Sequence, residues 1–262
     1  MGYRALNALW PRAVFWLLLP AMAVQGLWLR RRATRLEGAA GERRGVVGDG
    51  AALHLLALGD SIIDGVGTGH MAASLPVQFA KAVAKRLQRR VHWRVEGASG
   101  HDAEAVIGRL DSLEAGIPAD VVLVSVGVND VTGLSGTRRW QRCLQRLLAG
   151  IRGRWPDALV LFAGLPPMDL FPLPPQPLKF ALGLRAATLD RIARTVLASD
   201  GRAIHVPTRI DPERHGFCAD GFHPSAESCT LWAMELAAEL AQELAGQPAK
   251  PLPAIETRRT AR

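Results

Sequence analysis

From His54 onward, two kinds of apolar spacing alternate along the chain. Short, mostly apolar runs predict buried strands at His54–Leu58, Val91–Val95, Val121–Val126, Leu159–Ala163 and Ala203–Val206. Between them, apolar residues recur every three or four positions, which predicts helices over Leu75–Arg90, Ala103–Leu113, Arg138–Trp155, Leu184–Leu197 and Ala226–Leu244. Pro76 falls in the first turn of the first helix, and Pro156 ends the third. Alternating units of this size imply a parallel sheet covered on both faces. With right-handed crossovers the result is a flavodoxin-like, three-layer α/β/α sandwich around a five-stranded parallel sheet. Ligands of such sheets bind beyond the carboxyl ends of the strands, so residues that carry chemistry should follow strands.

The pattern also divides the chain. Residues 51–246 form the α/β domain, residues 36–50 (LEGAAGERRGVVGDG) read as an aperiodic linker, and residues 247–262 as a disordered basic tail. Ahead of them, residues 13–29 (AVFWLLLPAMAVQGLWL) carry no charge and lie between Arg12 and Arg30. Seventeen residues is the short end of the spanning range. We read residues 1–35 as a membrane anchor, with Trp10, Trp16 and Trp28 toward the interfaces. Ala21-Met22-Ala23 also fits a signal-peptidase site, so export after cleavage is the alternative. Arg30, Arg31, Arg32 and Arg35 outweigh Arg4 and Arg12, which favours the folded domain on the cytoplasmic side.

Composition adds exclusions. The chain has 262 residues, 48% apolar and 21% charged, as one folded domain with appendages requires. Its net charge of +8 is concentrated after the apolar segment, between Lys81 and Arg94, and in the tail. The first cluster suits anionic headgroups, and no nucleic-acid-binding module is present. Cys143, Cys218 and Cys229 have no zinc-type spacing, although a Cys218–Cys229 disulfide is conceivable. His54, His70, His92, His101, His205 and His215 form no ligand pair, so no metal is predicted.

Four short stretches stand at predicted element ends. Gly59-Asp60-Ser61 follows the first strand, where a serine hydroxyl is exposed at the sheet edge; it is also a plain turn sequence. Gly97-Ala98-Ser99-Gly100 follows the second, and a glycine N–H there can reach an oxyanion or simply turn the chain. Gly127-Val128-Asn129-Asp130 follows the third; an Asn amide donates without charge, or caps a helix. Asp220-Gly221-Phe222-His223-Pro224 precedes the last helix, with an acid and an imidazole close enough to pair. Each has a bland reading alone, but together they supply a nucleophile, oxyanion donors, an acid and a base.

In these blocks the chain resembles the SGNH hydrolases, also called the GDSL esterase/lipase family, over residues 53 to about 244. The resemblance implies Ser61 as nucleophile, His223 as proton carrier and Asp220 as the acid that orients it. It implies an oxyanion hole of Ser61, Gly100 and Asn129, and hydrolysis of esters or thioesters without a cofactor. Ile62 stands where the family has leucine, and Val95-Glu96 where it often has an asparagine.

The proline-rich, apolar loop of residues 165–180 is expected to be a lid or acyl-pocket wall, or else to pack over the core. Met168, Leu170, Phe171 and Phe180 are its pocket candidates. With the anchor, it tilts the expected substrate toward lipid-like or short acyl esters. Sugar O-acetyl esterase and acyltransferase activities use the same residues. Two readings of other classes are a silent, membrane-tethered binding protein and a nucleotide-binding module. The latter would use Gly65, Gly67, Gly69 and Glu96, but the glycine spacing is wrong and no Walker lysine is present.

Overall fold

A computed structural model describes residues 20–29, 36–210 and 216–246. Its centre is a six-stranded sheet formed by β1 (Arg44–Val47), β2 (Ala51–Gly59), β3 (Arg89–Gly97), β4 (Val121–Ser125), β5 (Leu159–Ala163) and β6 (Ala203–Val206), in the order β1-β3-β2-β4-β5-β6. Strands β2 to β6 are parallel. The helices are α1 (Leu75–Leu87), α2 (Ala103–Asp111), α3 (Val128–Thr132), α4 (Thr137–Arg154), α5 (Leu178–Leu197) and α6 (Ala226–Gly246).

Both faces of the strands are apolar, and the pleat sends alternate side chains to separate cores. Leu56, Leu58, Val122, Val124, Val160 and Phe162 pack with α2, α4 and α5. Leu55, Ala57, Val121, Leu123, Leu159 and Leu161 pack with α1 and α6. This is the expected three-layer sandwich. Trp140, fully buried on α4, donates its indole N–H to the Leu189 carbonyl of α5 at 2.9 Å, joining two helices of one layer.

Two expectations need correction. The sheet has a sixth strand, β1, inside the supposed linker, and it pairs antiparallel to β3 from Arg44↔Arg94 to Val47↔Val91. A four-residue edge strand with alternating exposure has no long apolar run to announce it. Helix α5 starts at Leu178, six residues before the predicted Leu184, because Pro177 stands just before its first turn and does not interrupt it.

Residues 20–29 are helical. Residues 13–19 of the predicted anchor, the Arg30–Arg35 cluster, and the tail from residue 247 lie outside the described residues. Among the described residues no helix is long and apolar enough to cross a membrane.

Candidate active site

The strand order places β3 and β4 on opposite sides of β2, and crevices open where connections diverge in this way. Ser61 follows β2 and Asn129 follows β4, on either side of that crevice. Strands β2 and β4 approach closely here. A Cβ on Gly59 would lie 2.0 Å from the Ser125 carbonyl oxygen, so only glycine fits. The turns are also tied to one another. Asp60 N–H donates to Ser125 O at 3.1 Å, and Ala98 N–H to Gly59 O at 3.3 Å. Ala103 N–H donates to the Asp130 carboxylate at 2.9 Å, and the Asn129 amide to His101 O at 2.9 Å.

Ser61, Asp220 and His223 converge. Ser61 Oγ lies 3.0 Å from His223 Nε2, and His223 Nδ1 lies 2.6 Å from Asp220 Oδ2. The second Asp220 oxygen accepts the N–H groups of Phe222 and His223, each at 3.0 Å. Gly221 makes this loop possible with a φ of +63°, a left-handed conformation that glycine adopts without strain. Burial pushes the Asp220 carboxyl up, but the bonds from the His223 ring and the two amides outweigh it, and its pKa lies below the usual carboxylate value. An ionised carboxylate can only accept, so it holds the ring proton on Nδ1 and leaves Nε2 to accept from Ser61.

The Asn129–His101 bond brings Asn129 beside the turn that holds Gly100. Among the described residues, neither the Ser61 nor the Gly100 N–H donates to a protein acceptor. Gly100 has a φ of +82° and open space beyond its Cα.

Ser61 and His223 border a cleft of about 740 Å³, its solvent-open part included. Ile62, Val126, Leu165, Phe217 and Phe222 form much of its wall, and Arg209 stands among the lining residues. Phe171 packs edge-on against Phe217 and Phe222, at 5.3 and 5.2 Å between ring centres, and Phe222 packs edge-on against the His223 ring at 5.4 Å.

Of the four loop residues expected in a pocket, only Phe171 lines the cleft. Met168 is fully buried in the core beneath it, whereas Leu170 and Phe180 are exposed. The physical reason is local. Residues Met168–Leu170 make a 3-10 turn that points Met168 inward, and Phe180 already belongs to α5 and falls on its outer side. Phe217 and Phe222 were not among the pocket candidates, although Phe222 lies inside the Asp220–Pro224 motif and Phe217 just before it; Leu165, the first residue of the proline-rich loop, lines the cleft as a wall residue without having been singled out. Their place in and beside the His223 motif is the signal that could have found the two phenylalanines.

Other side groups have structural partners. Glu96, named in the nucleotide-binding reading, is buried and paired with Arg94 at 2.6 Å and Arg109 at 2.8 Å. Cys143, Cys218 and Cys229 are free thiols, so the conceivable disulfide is not formed. Instead the Cys218 thiol lies 3.2 Å from Pro224 O and 3.4 Å from Gly67 O, linking the His223 loop to the turn after Ser61.

Sheet and site together define a flavodoxin-like α/β protein with a Ser–His–Asp constellation at the carboxyl edge of its sheet. The chain belongs to the GDSL-like lipase/acylhydrolase family, whose model matches residues 57–229. A curated GDSL-like esterase of Mycobacterium tuberculosis is 28% identical over 194 residues, covering 69% of this chain and 59% of that protein. The chain thus matches less than two thirds of that relative's length. The solved lipase Lip_vut3 from a goat rumen metagenome superposes with a TM-score of 0.58 at 20% identity, covering 72% of this chain and 97% of that one. A carbohydrate esterase family 2 enzyme with a carbohydrate-binding domain, from Corynascus thermopiles (Myceliophthora fergusii), gives 0.57 at 16% identity, covering 76% and 68%. At these identities the structural likeness is one of fold.

Proposed function

We propose that the chain is a serine ester hydrolase working through an acyl-enzyme. The observation that carries this reading is the continuous bonding from Ser61 through His223 to Asp220. His223 Nε2 takes the Ser61 proton as Oγ attacks the ester carbonyl. The tetrahedral oxyanion is held by the N–H groups of Ser61 and Gly100 and the Asn129 amide. His223 then protonates the leaving alcohol, the C–O bond breaks, and water repeats the cycle to release the acid. Asp220 keeps the imidazole in the working tautomer and stabilises its cation.

The largely apolar wall of the cleft supports esters with an aliphatic acyl group, because an acyl chain there leaves water while the carbonyl remains beside Ser61. Membrane tethering by residues 13–29, with the domain on the cytoplasmic side, is the location we favour. It is supported by the uncharged run and the arginines that follow it. Protease accessibility in sealed inside-out and right-side-out vesicles tests the side.

Ser61→Ala should fold normally and lose p-nitrophenyl ester hydrolysis by at least about 10³-fold, on the scale of triad deletions. Unchanged turnover would refute the mechanism. A graded series of p-nitrophenyl chain lengths tests the substrate reading. We expect turnover to extend beyond acetate, and an acetate-only profile would point to deacetylation instead.

A further inference from the structure

Among the described residues nine large apolar side chains stand exposed, and seven of them gather at one end of the molecule. Phe180 and Leu184 lie one helical turn apart at the start of α5. Helices that return from a parallel strand run opposite to it, so the start of α5 is at the ligand end of the sheet. Leu170 sits beside them, because the 3-10 turn Met168–Leu170 packs on α5 with Asp169 against Gly183. Leu134 is brought to the same place by Arg185, which donates to the Val131 carbonyl at 3.0 Å and also to the Ser135 carbonyl. Val24, Leu27 and Trp28 complete the set on the helix of residues 20–29. Gln25 fastens that helix to the loop before α5, donating to Gln176 O at 2.7 Å and accepting from Leu178 N–H at 3.2 Å.

This end is also the end of the cleft. The loop that carries Leu170 continues into Phe171, which lines the cleft, and Leu173 N–H donates to Gly221 O at 3.1 Å in the His223 loop. Val46 and Met234, the other two exposed apolar residues, lie on the edge strand and on α6. An exposed apolar patch of this kind marks an interaction surface, since solitary exposed residues would be scattered.

We propose that the ligand end of the domain is a membrane-docking face, seating on the headgroup–acyl boundary of a bilayer and opening the cleft toward it. Three observations favour a bilayer as the occupant. The patch draws on four separate segments, which a fluid surface accommodates more readily than a rigid partner. One of these segments, residues 20–29, continues the uncharged run that begins at Ala13. The sequence is basic beside it: Arg30, Arg31 and Arg32 directly follow Leu29 in the chain, and Lys179 adjoins Phe180 on α5, with Asp169 the acid of the turn that carries Leu170. Apolar and aromatic side chains with basic residues close by in the sequence are the composition of interfacial binders on anionic lipid. The docking itself is independent of the activity. That the docked domain takes its esters from the membrane rests on the hydrolase reading above.

The test uses the full chain and the double variant Phe180→Ser/Leu184→Ser, both positions being exposed and outside the cleft. Hydrogen exchange is followed with and without phosphatidylcholine/phosphatidylglycerol vesicles. In parallel, turnover of a vesicle-embedded long-chain ester is compared with that of soluble p-nitrophenyl acetate. Vesicles should slow exchange over residues 168–186 at least threefold in the parent and leave the variant unchanged. The variant should lose at least tenfold on the embedded ester while keeping the soluble rate within twofold. Exchange over 168–186 that ignores vesicles in the parent overturns the docking face. So does a concentration-dependent dimer that the variant abolishes while vesicles give no protection, since the patch would then join two copies. Protection with equal losses on both esters overturns membrane-side access. Protection without turnover of any ester upholds docking and defeats the hydrolase reading.

Discussion

Asp60 sits one residue before Ser61, is almost wholly buried, and accepts the Ile62 N–H at 3.1 Å. Burial pushes its carboxyl up to about 7; bonds from the Ile62 and Asp60 backbone amides offset this only in part, and the charge of Asp130 adds a smaller push upward. The sign follows from linkage. A carboxyl whose folded pKa exceeds its unfolded value holds more protons in the native state, so it costs stability as pH rises from about 4 to about 7 and adds no further slope above. Each pH unit in that window is worth up to about 1.4 kcal/mol. Asp60→Asn keeps an oxygen for the Ile62 amide and removes the titration. We expect its Tm, relative to the parent's, to rise progressively between about pH 4 and about pH 7 and then to level off; a constant difference across that range would show that Asp60 does not titrate there. This behaviour was not legible in the sequence, where Asp60 was a turn residue beside Ser61. Ser61, Asp220 and His223 were legible because their chemistry requires particular residue types at particular element ends. Phe180 and Met168 were misplaced because apolarity says that a side chain prefers to leave water, not on which side of the backbone it will do so.

At the scale of elements, the strongly periodic segments were readable to within a residue or two, as with β5 and β6, whereas the junctions were not. Asp190 on α5 shows what the junctions contain. Its Oδ1 receives Leu165 N–H at 2.9 Å and lies 2.7 Å from His205 Nε2, and Arg194 reaches its other oxygen at 3.1 Å. One carboxylate therefore fastens α5 both to β6 and to the residue that leaves β5 and walls the cleft. Burial raises its pKa, but its bonds from His205, Leu165 and Arg194 leave it lowered overall. No sequence spacing advertises this, since the partners are 15 and 25 residues away on other elements. Asp190→Ala orphans a buried imidazole and a backbone N–H, at about 1–3 kcal/mol for each group left unpaired. Chemical denaturation should show that loss, together with a rise in KM as Leu165 loosens. A variant as stable as the parent would mean that water replaces the carboxylate. Asp190→Asn, which retains an acceptor for Leu165, should recover part of the stability.

For the whole molecule the largest difference from the sequence reading concerns residues 36–50. Aperiodic and rich in Gly and charge, they had the composition of a linker, yet they wrap the turn that presents Ser61. Ala39 N–H donates to Asp64 O at 3.0 Å, Gly67 N–H to Glu37 O at 3.3 Å, and Met71 N–H to Ala40 O at 2.7 Å. Arg43 pairs with the Asp64 carboxylate and also reaches Gly97 O at 3.3 Å, bridging the turns after β2 and β3. Beyond it β1 covers the open edge of β3. These contacts depend on backbone groups and single charges, which leave no hydrophobic periodicity to read. A protein beginning at residue 36 should keep most of its turnover on soluble esters, because the strap remains. One beginning at residue 51 leaves the β3 edge unpaired and Asp64 without Arg43, and should lose solubility through edge-to-edge pairing as well as activity. If both truncations were equally soluble and equally active, the strap would be packing without consequence for the Ser61 turn. A selective loss in the shorter protein would place part of the machinery that holds the nucleophile in a segment well ahead of it in the chain.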